Sequence, residues 1–278
     1  MKEYAADKSN RFDKEMVSII DELPLWSAPF GLSLLQKIKI GKNLSVLDIG
    51  FGTGFPLIEI AQRLGDSSRV YGIDPWNEAI ERTLLKIKTY EISNVVPVNG
   101  YAEKLPFNRS FFDIIVSNNG LNNVEDLNET LAECSRVSKM GAQLLFTLNL
   151  EGSMIEFYNV LKEELEKENN KSAVEKMKKH IYDKRKPLNE IKRLLAANAF
   201  KINEIIENEF CLRFADCSTM FKHPFIKLWF FDSWKKIIEP EDFVPVFNRI
   251  QNRLNKQAEE NGELKLSIPY AVIDCVRI

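Results

Sequence analysis

Val46-Leu47-Asp48-Ile49-Gly50-Phe51-Gly52-Thr53-Gly54-Phe55-Pro56 changes both period and chemistry within a short span. Val46 to Ile49 reads as a short buried strand. Three glycines at alternate positions then allow a turn with positive φ, whose backbone lies against a ligand with no Cβ in the way. Pro56 suits a first helical turn, where its missing N–H is not needed, and Leu57, Ile60, Ala61 and Leu64 follow on one helical face. Strand, glycine turn and helix in that order bring free N–H groups and the positive end of a helix dipole to one point, where nucleotide-like ligands bind.

The glycine spacing discriminates among such ligands. A dinucleotide fingerprint G-x-G-x-x-G counted from Gly50 requires glycine where this chain has Phe55. Asp48 places a carboxylate two residues before the first glycine, which repels a diphosphate and suits a cationic ligand. Gly50, Gly52, Thr53 and Gly54 form the expected cradle. A second apolar strand, Arg69 to Ile73, ends at Asp74, about 20 residues past the turn, where an acid accepts hydrogen bonds from a ribose diol. Trp76 is placed either to pack on an adenine face or to anchor the start of the next helix.

With these residues in hand, the sequence resembles the class I S-adenosylmethionine-dependent methyltransferases, whose first motif reads here as Val46 to Gly54. Three further pieces fall in that family's order: Val70-Tyr71-Gly72-Ile73-Asp74-Pro75, Gly100-Tyr101-Ala102-Glu103-Lys104-Leu105-Pro106-Phe107 and Phe112-Asp113-Ile114-Ile115-Val116-Ser117. The closest flavour is the branch that includes the ubiquinone and menaquinone biosynthesis methyltransferases, and the pieces span residues 40–150. The resemblance implies S-adenosyl-L-methionine as cofactor and a small-molecule methyl acceptor. It also implies a role for Ala102, whose backbone N–H addresses the adenine, and a departure at Tyr101, where relatives usually carry aspartate. Glu103 is either part of that contact or a solvated turn residue.

Composition agrees with a small-molecule enzyme. The chain has 278 residues, 45% hydrophobic and 28% charged, as in soluble globular proteins, and a net charge of −2 does not suit a nucleic-acid partner. No apolar run approaches the ~18 residues of a membrane span, and the charged start of the chain lacks the plan of a secretion signal, so a cytoplasmic location is expected. Cys134, Cys211, Cys217 and Cys275 form no C-x-x-C pair, and His180 and His223 are far apart, so no metal site is expected and the thiols read as reduced.

Strands and helices alternate over the rest of the first half. Asn77 is placed to cap a helix carrying Ile80, Leu84 and Ile87, and Val95 to Val98 makes a third strand. A fourth, Phe111 to Ser117, runs into Asn118-Asn119-Gly120-Leu121-Asn122-Asn123-Val124, a polar loop at the carboxyl end of a strand, where open α/β sheets bind ligands. Asn118 is expected at the cofactor and Asn122 at the acceptor, in a loop where the quinone branch often has histidine. Val124, Leu127, Leu131, Cys134 and Val137 make a helical stripe, and Met140-Gly141 turns into a fifth strand, Ala142 to Leu150. The alternation specifies a doubly wound, mostly parallel α/β sheet with helices on both faces. The family's version has seven strands with the last antiparallel.

The remaining segments decorate that core, which is expected at residues 41–212 and 263–278. Residues 1–40 read as a helical segment with Phe12, Met16, Ile19 and Ile20 as its stripe. Trp26 and Phe30 either wall the methyl end of the site, as a leading segment does in the resembling family, or staple the segment to the sheet. Residues 151–186, rich in lysine and glutamate, read as a charged helical insertion with a solvated face or one that steers an acidic substrate. After a sixth strand from Lys201 to Leu212, residues 213–262 carry Phe214, Phe221, Phe225, Trp229, Phe230, Phe231 and Trp234 on a helix apolar nearly all round. They are expected to form a lid with Phe221 and His223 at the acceptor. Leu264 to Ile278 reads as a terminal strand with a bulge or edge at Pro269.

The expected activity is methyl transfer from S-adenosylmethionine to a small, partly apolar molecule, with no single catalytic base in view. Two alternatives stay open: an NAD-dependent oxidoreductase, against which Phe55 and Asp48 stand, and a non-catalytic cofactor-binding interaction module, which the Tyr101 departure allows.

Overall fold

A computed structural model of the chain describes residues 14–22 and 26–278. Phe12, Leu23, Pro24 and Leu25 lie outside the described residues, as do the side chains of Ile19 and Ile20. The described chain divides into two compact units, one of residues 14–22, 26–149, 187–208 and 270–278, the other of residues 150–186 and 209–269.

The first unit is built on the sheet. Its strands are β1 (Ser45–Ile49), β2 (Arg69–Asp74), β3 (Val95–Asn99), β4 (Phe112–Asn118), β5 (Ser138–Asn149), and the sheet-unit portions of β6 (Phe200–Phe214) and β7 (Leu264–Arg277). They are ordered β3-β2-β1-β4-β5-β7-β6 in one seven-stranded sheet. β1, β2, β3, β4 and β5 pair in parallel, and β7 enters antiparallel to β5 from Gln143↔Val276 to Asn149↔Tyr270. Four consecutive residues of β1, Val46 to Ile49, are buried, as are Ile114 to Asn118 of β4. Successive side chains point to opposite faces, so both faces of the central strands are covered, as the expected doubly wound arrangement requires.

The helices of this unit are α1 (Lys14–Glu22), α2 (Ser27–Leu35), α3 (Leu57–Leu64), α4 (Asn77–Thr89), α5 (Leu127–Val137) and α8 (Leu188–Ala197). Leu57, Ile60, Ala61 and Leu64 are the buried face of α3, and Leu127, Leu131, Cys134 and Val137 that of α5. Three local expectations need correction. Pro56 stands at the position before α3 rather than in its first turn. Asn77 is the first residue of α4 and caps nothing; its Oδ1 accepts from Asn99 Nδ2 at 2.9 Å. Met140-Gly141 is no turn into β5, because the strand already starts at Ser138 and the pairing with β4 jumps from Phe112↔Ser138 to Ile114↔Gln143. Gly141, at φ 78°, absorbs the extra residues as a bulge.

The second unit is helical, with α6 (Ile155–Lys167), α7 (Lys171–Lys184), α9 (Cys217–Lys222), an aromatic stretch from Pro224 to Lys235, and α10 (Pro240–Asn261). Pro224 opens the aromatic stretch, and Lys227–Phe231 within it is a π-helical turn. The rings of Phe157 and Trp234 stack at 4.0 Å, and Phe221, Phe231 and Phe247 close around them at 5.2 to 6.5 Å. Each such side chain contributes about 1.5–3 kcal/mol by leaving water. Residues 150–186 therefore do not belong with the sheet as a charged insertion. α6 buries Phe157, Tyr158, Leu161 and Leu165 on one face and packs against α10, whose buried face is Phe243, Val246, Phe247, Ile250 and Leu254. Nor is β7 an edge strand, since it lies between β5 and β6; Pro269 falls one residue beyond Tyr270, where its pairing with β5 ends.

Candidate functional site

The turn after β1 has Gly50, Gly52 and Gly54 at φ 74°, 53° and 104°. A Cβ on Gly50 would sit 3.0 Å from Gly120 Cα, and one on Gly54 would sit 2.9 Å from Ile58 Cδ1 and 3.1 Å from Thr83 Oγ1, so both are held against protein. A Cβ on Gly52 would meet nothing within 4 Å. Gly52 is thus where the turn is open. The turn is tied from three sides. Gly52 N–H donates to Asp74 Oδ2 at 2.8 Å, Thr83 Oγ1 donates to the Gly52 carbonyl at 3.1 Å, and Lys86 Nζ donates to the Thr53 carbonyl at 2.8 Å. Lys86 is itself paired with Asp21 of α1, which also takes Arg82 Nε at 2.7 Å. These cations hold the Asp21 carboxyl below its ordinary range in spite of burial.

Asp48 and Asp74 give the site its charge. Asp48 is fully buried, and neither carboxylate oxygen has a hydrogen-bond partner among the described residues. Burial pushes its carboxyl up to about 8; the charge of Asp74 adds to the rise, and the Leu57 N–H at the start of α3 opposes it only in part. Asp74 is also raised by burial, against the Trp76 and Gly52 N–H groups that it accepts at 2.9 and 2.8 Å. Two carboxyls without a protein cation make a pocket whose complement is positive.

The loop after β4 is a network of amides and hydroxyls. Asn118 Nδ2 donates to the Ser27 carbonyl of α2 at 3.0 Å, and its Oδ1 accepts from Thr147 Oγ1 at 3.1 Å. Asn119 N–H donates to the same Thr147 oxygen at 2.9 Å, while Asn122 Nδ2 faces the Oδ1 atoms of Asn119 and Asn149. Asn118 and Asn122 therefore stand at adjoining strand ends, held by α2 and β5. A Cβ on Gly31 of α2 would lie 2.2 Å from the Phe55 ring and 2.9 Å from Asn118 Nδ2, so glycine there lets α2 reach both the glycine turn and this loop.

Other predicted residues are placed differently. Ala102 is buried beside a Tyr101 that is 65% exposed, and Trp76 is half-buried at the start of α4. Glu103 Oε1 accepts the backbone N–H of Glu125 at 2.7 Å and is spent on the approach to α5 rather than on a cofactor. Phe30 is fully buried, its ring edge-on to Tyr270 at 4.8 Å, so it staples α2 to the sheet and walls nothing; half-buried Trp26 packs on it at 5.5 Å. Phe221 is fully buried among the rings of the helical unit, and His223, kept neutral by burial, has its ring 5.5 Å from Phe214. Phe221 thus presents no surface to an acceptor; with Phe231, Trp234, Phe243 and Phe247 it is core, whereas Trp229 is exposed.

Thr83, Lys86, Asp21, Thr147 and Asn149 went unnoticed in the sequence. Thr83 had a signal, a polar residue on the apolar stripe of α4, where it is fully buried. Thr147 and Asn149 had a weaker one, two polar residues at the end of an apolar strand. Among the described residues no group of three or more His, Cys, Asp or Glu gathers as a metal site, and no helix is long and apolar enough to cross a membrane.

Residues 40–249 match the profile of a methyltransferase domain family. A demethylmenaquinone methyltransferase of Geobacillus sp. (strain WCH70) is 29% identical over 123 residues, 44% of this chain and 53% of that protein, so the chain spans about half the length of the curated relatives it matches. The YcgJ protein of Bacillus subtilis superposes with a TM-score of 0.56 at 19% identity, covering 90% of this chain and 98% of that one. A geranyl diphosphate C-methyltransferase from Streptomyces coelicolor A3(2), solved with Mg2+, geranyl diphosphate and S-adenosyl-L-homocysteine, superposes with a TM-score of 0.56 at 16% identity over 100% of this chain and 90% of that one. Both structures share the fold. The profile match covers most of the sheet unit together with the open turn at Gly52 and the acids at Asp48 and Asp74, and on it the chain belongs to the methyltransferase domain family.

Proposed function

We propose that this chain is an S-adenosylmethionine-dependent methyltransferase acting on a small molecule. The observation that carries the proposal is Asp48: a fully buried carboxyl with no hydrogen-bond partner, two residues before an open glycine turn and near a second acid. A diphosphate would be repelled there, whereas a ligand with an ammonium and a sulfonium supplies the missing charge. Sheet order speaks against the oxidoreductase alternative as well, since an antiparallel β7 separates β5 from β6 where a dinucleotide fold continues β4-β5-β6 in parallel.

The cofactor supplies an electrophilic methyl group when bound. Asp74 is the acceptor for a ribose diol, each oxygen having one lone-pair direction left after its backbone N–H. Gly52 lies against the ligand, the Ala102 N–H addresses the adenine, and Asp48 balances positive charge. Asn118 stays on the cofactor side, Asn122 offers an amide group to a polar substituent of the acceptor, and Phe55 and Trp26 offer apolar surface, so an acceptor with a ring or chain and one polar attachment fits. The chain's contribution is positioning and exclusion of water, with no side chain required as a strong base. The demethylmenaquinone methyltransferases lend the same direction, toward a ring-bearing acceptor, but that likeness spans 44% of this chain and Asn122 stands where that branch often has histidine. Calorimetry with S-adenosylhomocysteine and with NAD tests the proposal: micromolar binding of the first and none of the second is expected, and the reverse would overturn it.

A further inference from the structure

Arg185 ends α7 in the helical unit, with φ −144° and ψ 72°, and is 2% exposed. Its Nε and Nη1 are buried and have no hydrogen-bond partner, and among the described residues no carboxylate lies within ion-pairing distance. The nearest acid along the chain, Asp183, is bound to Lys179 at 2.8 Å. What the guanidinium does meet is the face of Tyr158, with Cζ 5.2 Å from the ring centroid. An arginine side chain keeps its charge inside proteins, and a buried cation with no anion costs several kcal/mol.

The surroundings are built and polar rather than accidental. Trp234 Nε1 donates to Tyr158 Oη at 3.1 Å, and Tyr158 Oη lies 3.0 Å from His180 Nε2. An indole N–H only donates, so the tyrosine oxygen accepts from Trp234, while the contact with His180 runs in the direction its tautomer sets. His180 stays neutral: burial pushes its pKa down to about 4, and the charges of Arg185 and Lys184 add to the fall. Lys184 is depressed by burial too, with Lys236 adding to the depression. Burial and the neighbouring cations together outweigh the opposing charge of Asp183 at both His180 and Lys184.

We infer that Arg185 anchors an oxyanion site in the helical unit, its guanidinium held over Tyr158 and its Nε and Nη1 N–H groups taking the phosphate or carboxylate group of a small molecule. The guanidinium fork matches such groups, and the charge-assisted bonds form in a water-poor setting that favours them. The site stands apart from the cofactor reading, since every residue in it belongs to residues 150–186 and 209–269.

The test is calorimetry and thermal unfolding of the full chain with inorganic pyrophosphate, inorganic phosphate and succinate as separate probes, each with and without saturating S-adenosylhomocysteine. Saturable binding of at least one probe is expected, with a concentration-dependent rise in Tm that persists when S-adenosylhomocysteine is present. Preference for pyrophosphate or phosphate over succinate assigns the phosphate class, and the opposite preference the carboxylate class. Arg185→Met should weaken binding at least roughly tenfold and, in anion-free buffer, be no less stable than wild type, since it removes an uncompensated charge; Arg185→Lys should fall between. An equal shift in wild type and Arg185→Met means an adventitious ion only, and no shift with any probe means no site; either overturns the inference. Should the methionine variant not fold, hydrogen exchange on wild type decides: pyrophosphate or succinate must slow the backbone of residues 180–186, and unchanged exchange there overturns it.

Discussion

The backbone N–H of Gly52 donates to Asp74 Oδ2 at 2.8 Å, so the acid at the end of β2 and the open glycine after β1 are one piece of structure. Asp74 thus shapes the turn, and in the proposed function it would also meet the ribose. Asp74→Asn puts an N–H against an N–H at one of its two backbone contacts. Affinity for S-adenosylhomocysteine should fall by ~1–3 kcal/mol, as expected for hydrogen bonds to a charged acceptor. Calorimetry on the folded variant checks this, and an unchanged dissociation constant would remove Asp74 from the site.

Asp48 makes stability pH-dependent. Its folded pKa, about 8, lies above the ordinary 3.8, so the folded chain binds the proton more tightly than the unfolded chain. That contribution is fully present below about 4 and is lost as pH rises through about 8. Denaturant unfolding of the cofactor-free protein should therefore show a stability that falls with pH across this window, and Asp48→Asn should flatten the fall and be more stable than wild type at pH 8. A parallel slope in the variant would mean another group titrates. Because a cationic ligand favours the ionised form, cofactor binding at neutral pH should also release a proton, read as a dependence of calorimetric enthalpy on the buffer.

The pairing of Asp21 with Lys86 connects α1 to the glycine turn, since Lys86 also holds the Thr53 carbonyl. Asp21→Asn leaves Arg82 and Lys86 without their anion and should destabilise the chain by ~1–3 kcal/mol. Cofactor affinity should drop along with it. The wild-type contribution is present above the ordinary carboxyl range and is lost on acidification, because the folded pKa is depressed. A variant with normal binding would show that the turn holds its shape without α1.

In the helical unit Glu164 is buried and takes Arg249, Arg253 and Lys167 at 3.0, 2.8 and 2.8 Å, which hold its carboxyl down at about 2 despite burial. Its stabilisation is present above the ordinary 4.5 and is lost as pH falls toward 2. Glu164→Gln should cost about 1–3 kcal/mol at neutral pH, the cations being exposed enough to rehydrate. Urea unfolding followed by circular dichroism measures it, with no loss as the contrary outcome.

Much of the sheet unit is legible because its signals are local. The glycine turn, the acid at position 74 and the alternation of apolar runs each lie within a few residues, and the strands fall within a few residues of their expected places. The helical unit was obscured by charge: Phe157, Leu161 and Leu165 recur every four residues in α6, but the lysines and glutamates between them read as a solvated insertion. The amide network was illegible for another reason. Asn118 and Thr147 are partners only through the β4–β5 register, and Asp21 reaches Lys86 only after α1 folds back, so neither relation exists in the linear sequence. The aromatic segment buries Phe221, Ile226, Phe231 and Trp234 but leaves Trp229 exposed, and the buried rings find their partners in their own unit.

The most direct test of methyl transfer from S-adenosylmethionine is incubation of the chain with methyl-labelled cofactor and a metabolite extract, followed by mass spectrometry. A small molecule should gain one labelled methyl group, with stoichiometric S-adenosylhomocysteine formed and the reaction lost in Asp74→Asn. Tight binding of NAD with no affinity for S-adenosylhomocysteine and no labelled product would contradict it.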